Sequence, residues 1–152
     1  MNSSLHRSFN WLRLSLLAVS VLTVSGATTL IAASQDKVMH GYKGVKLGMK
    51  PEEVEAAIGK PDNKNEGSEE YKLSDDDTMT IYYDGGTVKT ISLLFTEAKN
   101  APAWTEVVGN AEVKTNDNGS KVARVQNVEG KFWVSMYQNK SGTMITITIS
   151  RI

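Results

Sequence analysis

Two histidines, His6 and His40, are the whole imidazole complement of the chain, and it has no cysteine. A serine-hydrolase triad or a histidine metal site would have to rest on His40, because His6 lies in an apolar leader and His40 in a polar stretch without a partner at useful spacing. The missing thiols exclude a disulfide framework, a thiolate zinc site, an iron–sulfur cluster and a cysteine nucleophile. The carboxylates are no better placed. Asp75-Asp76-Asp77 puts three acids side by side, pointing in different directions, whereas a calcium loop needs roughly six to eight spaced oxygen ligands. That run reads as a solvated turn. Glu69 and Glu70 with Asp75 would be a glycosidase pair only if something set their separation, and nothing does. Asp84-Gly85-Gly86 joins two strands and opens no helix, so it is not a phosphate loop. Asn118-Gly119-Ser120 and Asn139-Lys140-Ser141 match the glycan acceptor pattern and read as plain turns. No catalytic residue, metal or cofactor emerges, and the expectation is a protein that is not an enzyme.

The aromatic residues offer a different chemistry, that of recognition. In Lys131–Tyr137, alternation puts Phe132, Val134 and Met136 on one face and Trp133, Ser135 and Tyr137 on the other. Trp and Tyr on an open sheet face are the residue types that carry binding energy at interfaces. Trp133 and Tyr137 are therefore the candidate protein-binding residues, unless they complete a core between two halves of the molecule.

Strands and helices must position that pair. Thr143–Ser150, T-M-I-T-I-T-I-S, alternates so that Ile145, Ile147 and Ile149 share a face. Met79, Ile81 and Tyr83 alternate with Thr78, Thr80 and Tyr82, and Asp84-Gly85-Gly86 turns the chain into a strand bearing Ile91, Leu93 and Phe95. Short strands are also expected at Glu70–Leu73, Glu112–Thr115 and Lys121–Val128. Between Lys50 and Pro61 the punctuation is helical. Pro51 suits the first turn, Glu52 and Glu53 complement the positive end of the dipole, Gly59 stops the helix and Pro61 bars its return. So short a helix is marginal by itself, and Val54 and Ile58 must dock it. Ala103–Val108 is a weaker helix with Trp104, Val107 and Val108 at helical spacing. The result is an α+β fold: short helices on one face of an antiparallel sheet. The order helix, glycine stop, strand, hairpin, strand occurs twice, which either marks two tandem units or is the coincidence of two hairpins.

Gly44-x-x-x-Gly48-Met49-x-x-x-Glu53-Val54, then Gly59-x-Pro61 and Tyr82-Tyr83-Asp84-Gly85-Gly86 before Val88, resemble the opening motif of the SmpA/OmlA (BamE-like) family. The resemblance covers Gly44 to about Phe95. It implies a short helical pair on a three- or four-stranded antiparallel sheet, and a role in assembling outer-membrane β-barrels. The duplicated version of that fold, in the β-lactamase inhibitory proteins, implies binding to an enzyme through a concave sheet face. Two features depart from the pattern: Lys50 stands before Pro51 where the family has Thr or Ser, and the lipid-bearing cysteine of the barrel-assembly members is missing. Without that thiol there is no lipid anchor.

Residues 1–34 read as an address. Arg7 and Arg13 precede the apolar run Leu14–Val24, and small residues follow at Ser25-Gly26-Ala27 and Ala32-Ala33-Ser34, the order of a secretory signal peptide. An uncleaved anchor over Leu14–Ala33 is the alternative, and it makes the membrane a partner. Both readings place the remainder outside the cytoplasm, in the periplasm or secreted. The organisation expected is a signal over 1–34, a polar lead-in over 35–43, a BamE-like unit over 44–97 and a second, β-rich half over 98–152. Lys plus Arg balances Asp plus Glu at 17 each, and the leader holds two of the cations, so the remainder is slightly acidic. That argues against nucleic acid, which needs clustered cations, and leaves another envelope or secreted protein as the expected partner. N-terminal sequencing of protein recovered from the cell envelope should find a start near Thr28 or Gln35. An intact Met1 on a soluble cytoplasmic species would overturn the export reading.

Overall fold

The computed structural model describes residues 38–152. The expected signal peptide, and Gln35–Lys37 of the lead-in, lie outside the described residues. Over these residues the protein is mostly antiparallel β-sheet with two short α-helices. A two-stranded hairpin, β1 (Gly41–Tyr42) and β2 (Val45–Lys46), leads into helix α1 (Pro51–Ile58). Next come strands β3 (Asn63–Asn65), β4 (Ser68–Lys72), β5 (Thr78–Asp84) and β6 (Thr87–Phe95). A 3-10 turn at Ala98–Asn100 precedes α2 (Trp104–Val108), followed by β7 (Lys114–Thr115), β8 (Lys121–Asn127), β9 (Phe132–Gln138) and β10 (Ile145–Arg151). Strands β3 to β10 form one eight-stranded sheet in the order β3-β4-β5-β6-β10-β9-β8-β7. Every pairing in it is antiparallel.

The core follows from period two. Ile91, Leu93 and Phe95 of β6 sit opposite Ile149, Ile147 and Ile145 of β10, and all six are buried. Met79 and Ile81 extend this row on one side, Val134 and Met136 on the other. One departure from alternation matters. Between Tyr82 and Tyr83 the β5–β6 register shifts, so that Tyr82 faces Thr90 and Tyr83 faces Val88. The bulge turns Val88 inward, fully buried, although strict alternation from Ile91 would point it outward. Its backbone is satisfied by the segment before α1: Gly48 donates to the Val88 carbonyl at 2.8 Å, and Val88 donates to Met49 O at 2.8 Å.

Both helices begin the same way. Glu53 accepts a hydrogen bond from the Lys50 backbone N–H at 2.7 Å, and Glu106 accepts from Ala103 at 2.9 Å. In each case a carboxylate three residues in satisfies the N-cap amide, half of a capping box, while neither cap side chain can accept in return. Gly59 ends α1 at φ 89°, ψ −171°, a conformation that glycine alone adopts freely. Val54 of α1 and Val107 and Val108 of α2 are buried in the same cluster as the inward row of the sheet. Ile58 is only half-buried, contrary to the expectation that it docks α1 as fully as Val54.

The lead-in read as polar is structured from Val38 onward. Val38 is buried, Met39 donates to the Val107 carbonyl at 2.9 Å, and Tyr42 meets the ring of Phe95 edge-on at 6.3 Å. Among the described residues, no helix is long and apolar enough to cross a membrane. Because Ile147 is completely buried at the β6–β10 seam, Ile147→Ala should cost about 2–5 kcal/mol in urea unfolding. Ile58→Ala, at a half-exposed site, should cost clearly less. Equal losses would mean that burial has been misassigned on α1.

Candidate functional site

The face of the sheet turned away from the core carries three rows of outward side chains, set by the registers. Tyr82, Thr90, Ser150 and Trp133 form one row across β5, β6, β10 and β9. Thr80, Ser92, Thr148 and Ser135 form the next. Thr78, Leu94, Thr146 and Tyr137 form the third. Its floor is lined with hydroxyls, tied in one place by a 2.8 Å contact between Thr90 Oγ1 and Ser150 Oγ. Three aromatics stand on it. Trp133 and Tyr137 are half-buried, and Tyr82 is 47% exposed. Trp133 and Tyr137 point the same way from one strand, as their spacing required. Tyr82 faces them from three strand spacings off, roughly 14 Å.

Arg124, exposed on β8, lays its guanidinium over the Trp133 ring at 4.1 Å from the centroid. The ring quadrupole attracts the guanidinium there, by roughly 0.5–1 kcal/mol at an exposed site. Neither Tyr82 nor Arg124 stood out in the sequence as a binding residue. For Tyr82 the signal was present, since alternation with Met79 and Ile81 already placed it outward. Arg124 could be paired with Trp133 only once β8 and β9 were known to be in register, with Arg124 opposite Ser135 and Gln126 opposite Trp133.

The acidic residues weighed for catalysis are dispersed or engaged. Glu69 and Glu70, adjacent on β4, point to opposite faces. Glu70 sits opposite Thr80 and accepts from Asn63 Nδ2 at 3.0 Å, whereas Glu69 is buried on the core side opposite Ile81. Asp75 and Asp76 are exposed, but Asp77 is not the solvated turn residue expected. It is 3% exposed, and its carboxylate accepts from the Thr96 amide at 3.0 Å and Asn100 Nδ2 at 2.8 Å, pinning the β4–β5 turn to the end of β6. Asn118 and Asn139 close turns with their own side chains, accepting from Ser120 N at 2.9 Å and Met144 N at 3.0 Å. Among the described residues there is no group of His, Cys, Asp and Glu that could hold a metal ion.

Glu69 is the centre of a polar network inside the first half. Its Oε2 accepts from the Tyr71 hydroxyl at 3.0 Å and the Tyr83 hydroxyl at 2.5 Å, and its Oε1 accepts from Lys64 Nζ at 2.6 Å. Burial pushes the carboxyl up, but the hydrogen bonds from Lys64, Tyr83 and Tyr71 outweigh it and hold Glu69 below the usual carboxylate range. Burial, and then the bond to Glu69, push both phenols above their ordinary range. Both tyrosine hydroxyls donate to the same carboxylate oxygen, which ties the side chains of β4 and β5 together.

No protein-family model and no curated protein matches the chain. Among solved structures, a DUF4309 family protein (YjgB) from Bacillus subtilis is similar over 68% of this chain and 78% of that one, at 13% sequence identity and a TM-score of 0.46.

Glu69→Gln keeps the shape and removes the charge. At neutral pH it should cost about 1–3 kcal/mol in chemical unfolding, since charge-assisted bonds become ordinary ones and one acceptor becomes a donor. A depressed carboxyl stabilises the fold above its ordinary value of 4.5, and that contribution is lost as pH falls through the lower value of the folded state. The gap between wild type and variant should therefore close on acidification. A gap that stays constant into strong acid would show that Glu69 does not act through its charge.

Proposed function

We propose that the chain is an exported, non-enzymatic protein-binding module of the bacterial cell envelope, and that its partner docks on the open face of the sheet. One observation carries this reading. The sheet presents two unlike faces, one holding the core and the other holding Trp133, Tyr137, Tyr82 and Arg124 over a floor of Ser and Thr hydroxyls. Trp, Tyr and Arg are the types that dominate interface energetics. A floor of short hydroxyls gives hydrogen-bonding capacity without bulk that would keep a partner away. The resemblance to the SmpA/OmlA family supports an assembly or scaffold role, carried out without a lipid anchor. The exported location rests on the leader composition alone.

A second reading is a secreted inhibitor of a hydrolase, built on the duplicated form of the fold. Its support is the strand order, which is the same read from either edge: each half supplies a helix and four strands, and the last strand of each half meets the other at the centre. Two tandem helix–sheet units joined at β6 and β10 would give that order. The helices would then cover one face and leave the other free.

Immobilised protein exposed to envelope extracts and to secreted hydrolases separates the two: barrel-assembly components support the first, a single soluble hydrolase the second. Trp133→Ala and Tyr137→Ala should each weaken that capture by about thirtyfold or more, the loss of roughly 2 kcal/mol at an interface anchor, with thermal melting unchanged. Capture that survives both substitutions, or a melt lowered as by a core deletion of about 3–5 kcal/mol, would remove the open face from consideration.

A further inference from the structure

Away from the open face, a cavity of about 420 Å³ is walled by the β1–β2 hairpin, the β8–β9 turn and the end of β10. Its size falls within the range of small-molecule sites, roughly 300–1,000 Å³. Four of its residues carry or can carry positive charge: His40, Lys46, Lys131 and Arg151. No acid lines it. The ion pairs among the described residues are Lys64–Glu69, Lys89–Asp84 and Lys99–Glu97, so no carboxylate of a described residue lies within 4.0 Å of any of the four cavity groups. Arg151 is steadied by donating from Nη2 to Thr87 Oγ1 at 3.1 Å, a contact that orients the guanidinium without neutralising it. Asp84, which Arg151 helps to hold below the usual carboxylate range after Lys89 has done so, is already paired with Lys89 at 3.1 Å. On a body with more acids than bases, two lysines, an arginine and a histidine gathered around one cavity need an explanation.

The floor of the cavity is apolar, made by Phe132 and Leu47. The backbone is built to keep it so. A side chain on Gly130 would put its Cβ 2.6 Å from the Phe132 ring, so only glycine allows the turn to close over that ring. Lys131 is held at φ 53°, in the left-handed region that side chains rarely adopt. Two hydrogen bonds enforce it: Lys131 N to Val128 O at 3.2 Å, and Ile152 N to Lys131 O at 3.0 Å. Strain of this kind persists only where the surroundings over-determine it, and such residues cluster at ligand sites. Here it fixes a lysine at the rim of the cavity.

We infer that this cavity binds a small amphiphilic anion, its carboxylate or phosphate head held by Lys46, Lys131, Arg151 and the His40 imidazole, its apolar body lying on Phe132 and Leu47. Arginine and lysine together suit such a head, the guanidinium by a forked pair of bonds and the ammonium as a point charge. The inference stands apart from the open sheet face and survives its failure.

The test is calorimetric titration of the full chain with octyl phosphate and with octanoate, beside octanol and inorganic phosphate as half-ligands. The amphiphilic anions should bind with an affinity that falls as salt rises, and each half-ligand at least about tenfold more weakly. Lys131→Gly removes the cation and suits the left-handed backbone. Combined with Lys46→Ala it should weaken octyl phosphate about tenfold or more while thermal melting holds or rises. Lys140→Ala, outside the cavity, should change nothing. Octanol binding as well as octyl phosphate, or the double variant binding like wild type, would overturn the inference. So would binding only to phosphatidylglycerol vesicles with none to the soluble amphiphiles, since that is attraction to a charged surface.

Discussion

The pairing of β6 with β10 is the interaction on which the rest of this molecule depends. Six consecutive residue pairs, from Ile145–Phe95 to Ser150–Thr90, join what would otherwise be two four-stranded sheets. Inward, the seam stacks isoleucine on leucine, isoleucine and phenylalanine with nothing exposed. Outward, it lays Thr148 beside Ser92, Ser150 beside Thr90 and Thr146 beside Leu94. The same six pairs thus place six buried apolar side chains at the centre of the core and make the outer face continuous from Tyr82 to Trp133. Left unpaired, either strand would present a long, β-branched, apolar edge, the kind that invites aggregation. The true edges are managed differently. β3 and β7 are three and two residues long, exposed and carry lysine, so they offer little template to another chain.

The two halves around the seam are not equivalent in their interiors. β4 sets Glu69 opposite Ile81, where β8 sets Ala123 opposite Met136, and both positions are buried. One half therefore solves the problem of a buried charge with two tyrosines and a lysine, and the other avoids it with a methyl group. A buried carboxylate with all its acceptors engaged contributes little net stability over an apolar replacement, yet is costly to disturb. The first half is consequently the more pH-sensitive part of the sheet. The aromatic outer surface and the Arg124–Trp133 stack belong mainly to the second.

What could be read from the amino-acid order was whatever alternation or punctuation announces locally. β10 and β6 were plain because Ile145, Ile147, Ile149 and Ile91, Leu93, Phe95 each keep period two over a whole strand. α1 was plain because Pro51 and Gly59 bracket it. β3 was not, since Asn63-Lys64-Asn65 is polar on both faces and becomes a strand only by pairing with β4. The β1–β2 hairpin was hidden for a similar reason: Gly41 and Tyr42 look like loop residues until Phe95 supplies the ring that Tyr42 meets. The bulge that turns Val88 inward depends on backbone partners at Gly48 and Met49, far off in the chain. The candidate face was half legible. Trp133 and Tyr137 could be placed together from one strand's spacing, whereas the cation over Trp133, the Tyr82 row and the charged cavity beside Lys131 each need strands or turns brought together from distant segments.

The position of β10 in the order of synthesis has a consequence for how the molecule comes into being. A ribosome makes β3 to β6 first, and β6 then waits with one edge bare while the second helix and three more strands are polymerised. Its proper neighbour, β10, emerges only after all of these. Closing that long loop is entropically costly and slow, so the sheet cannot zip progressively from one end and closes only after β10 has been made. Until then the four strands of the first half form an incomplete sheet whose apolar β6 edge has no partner.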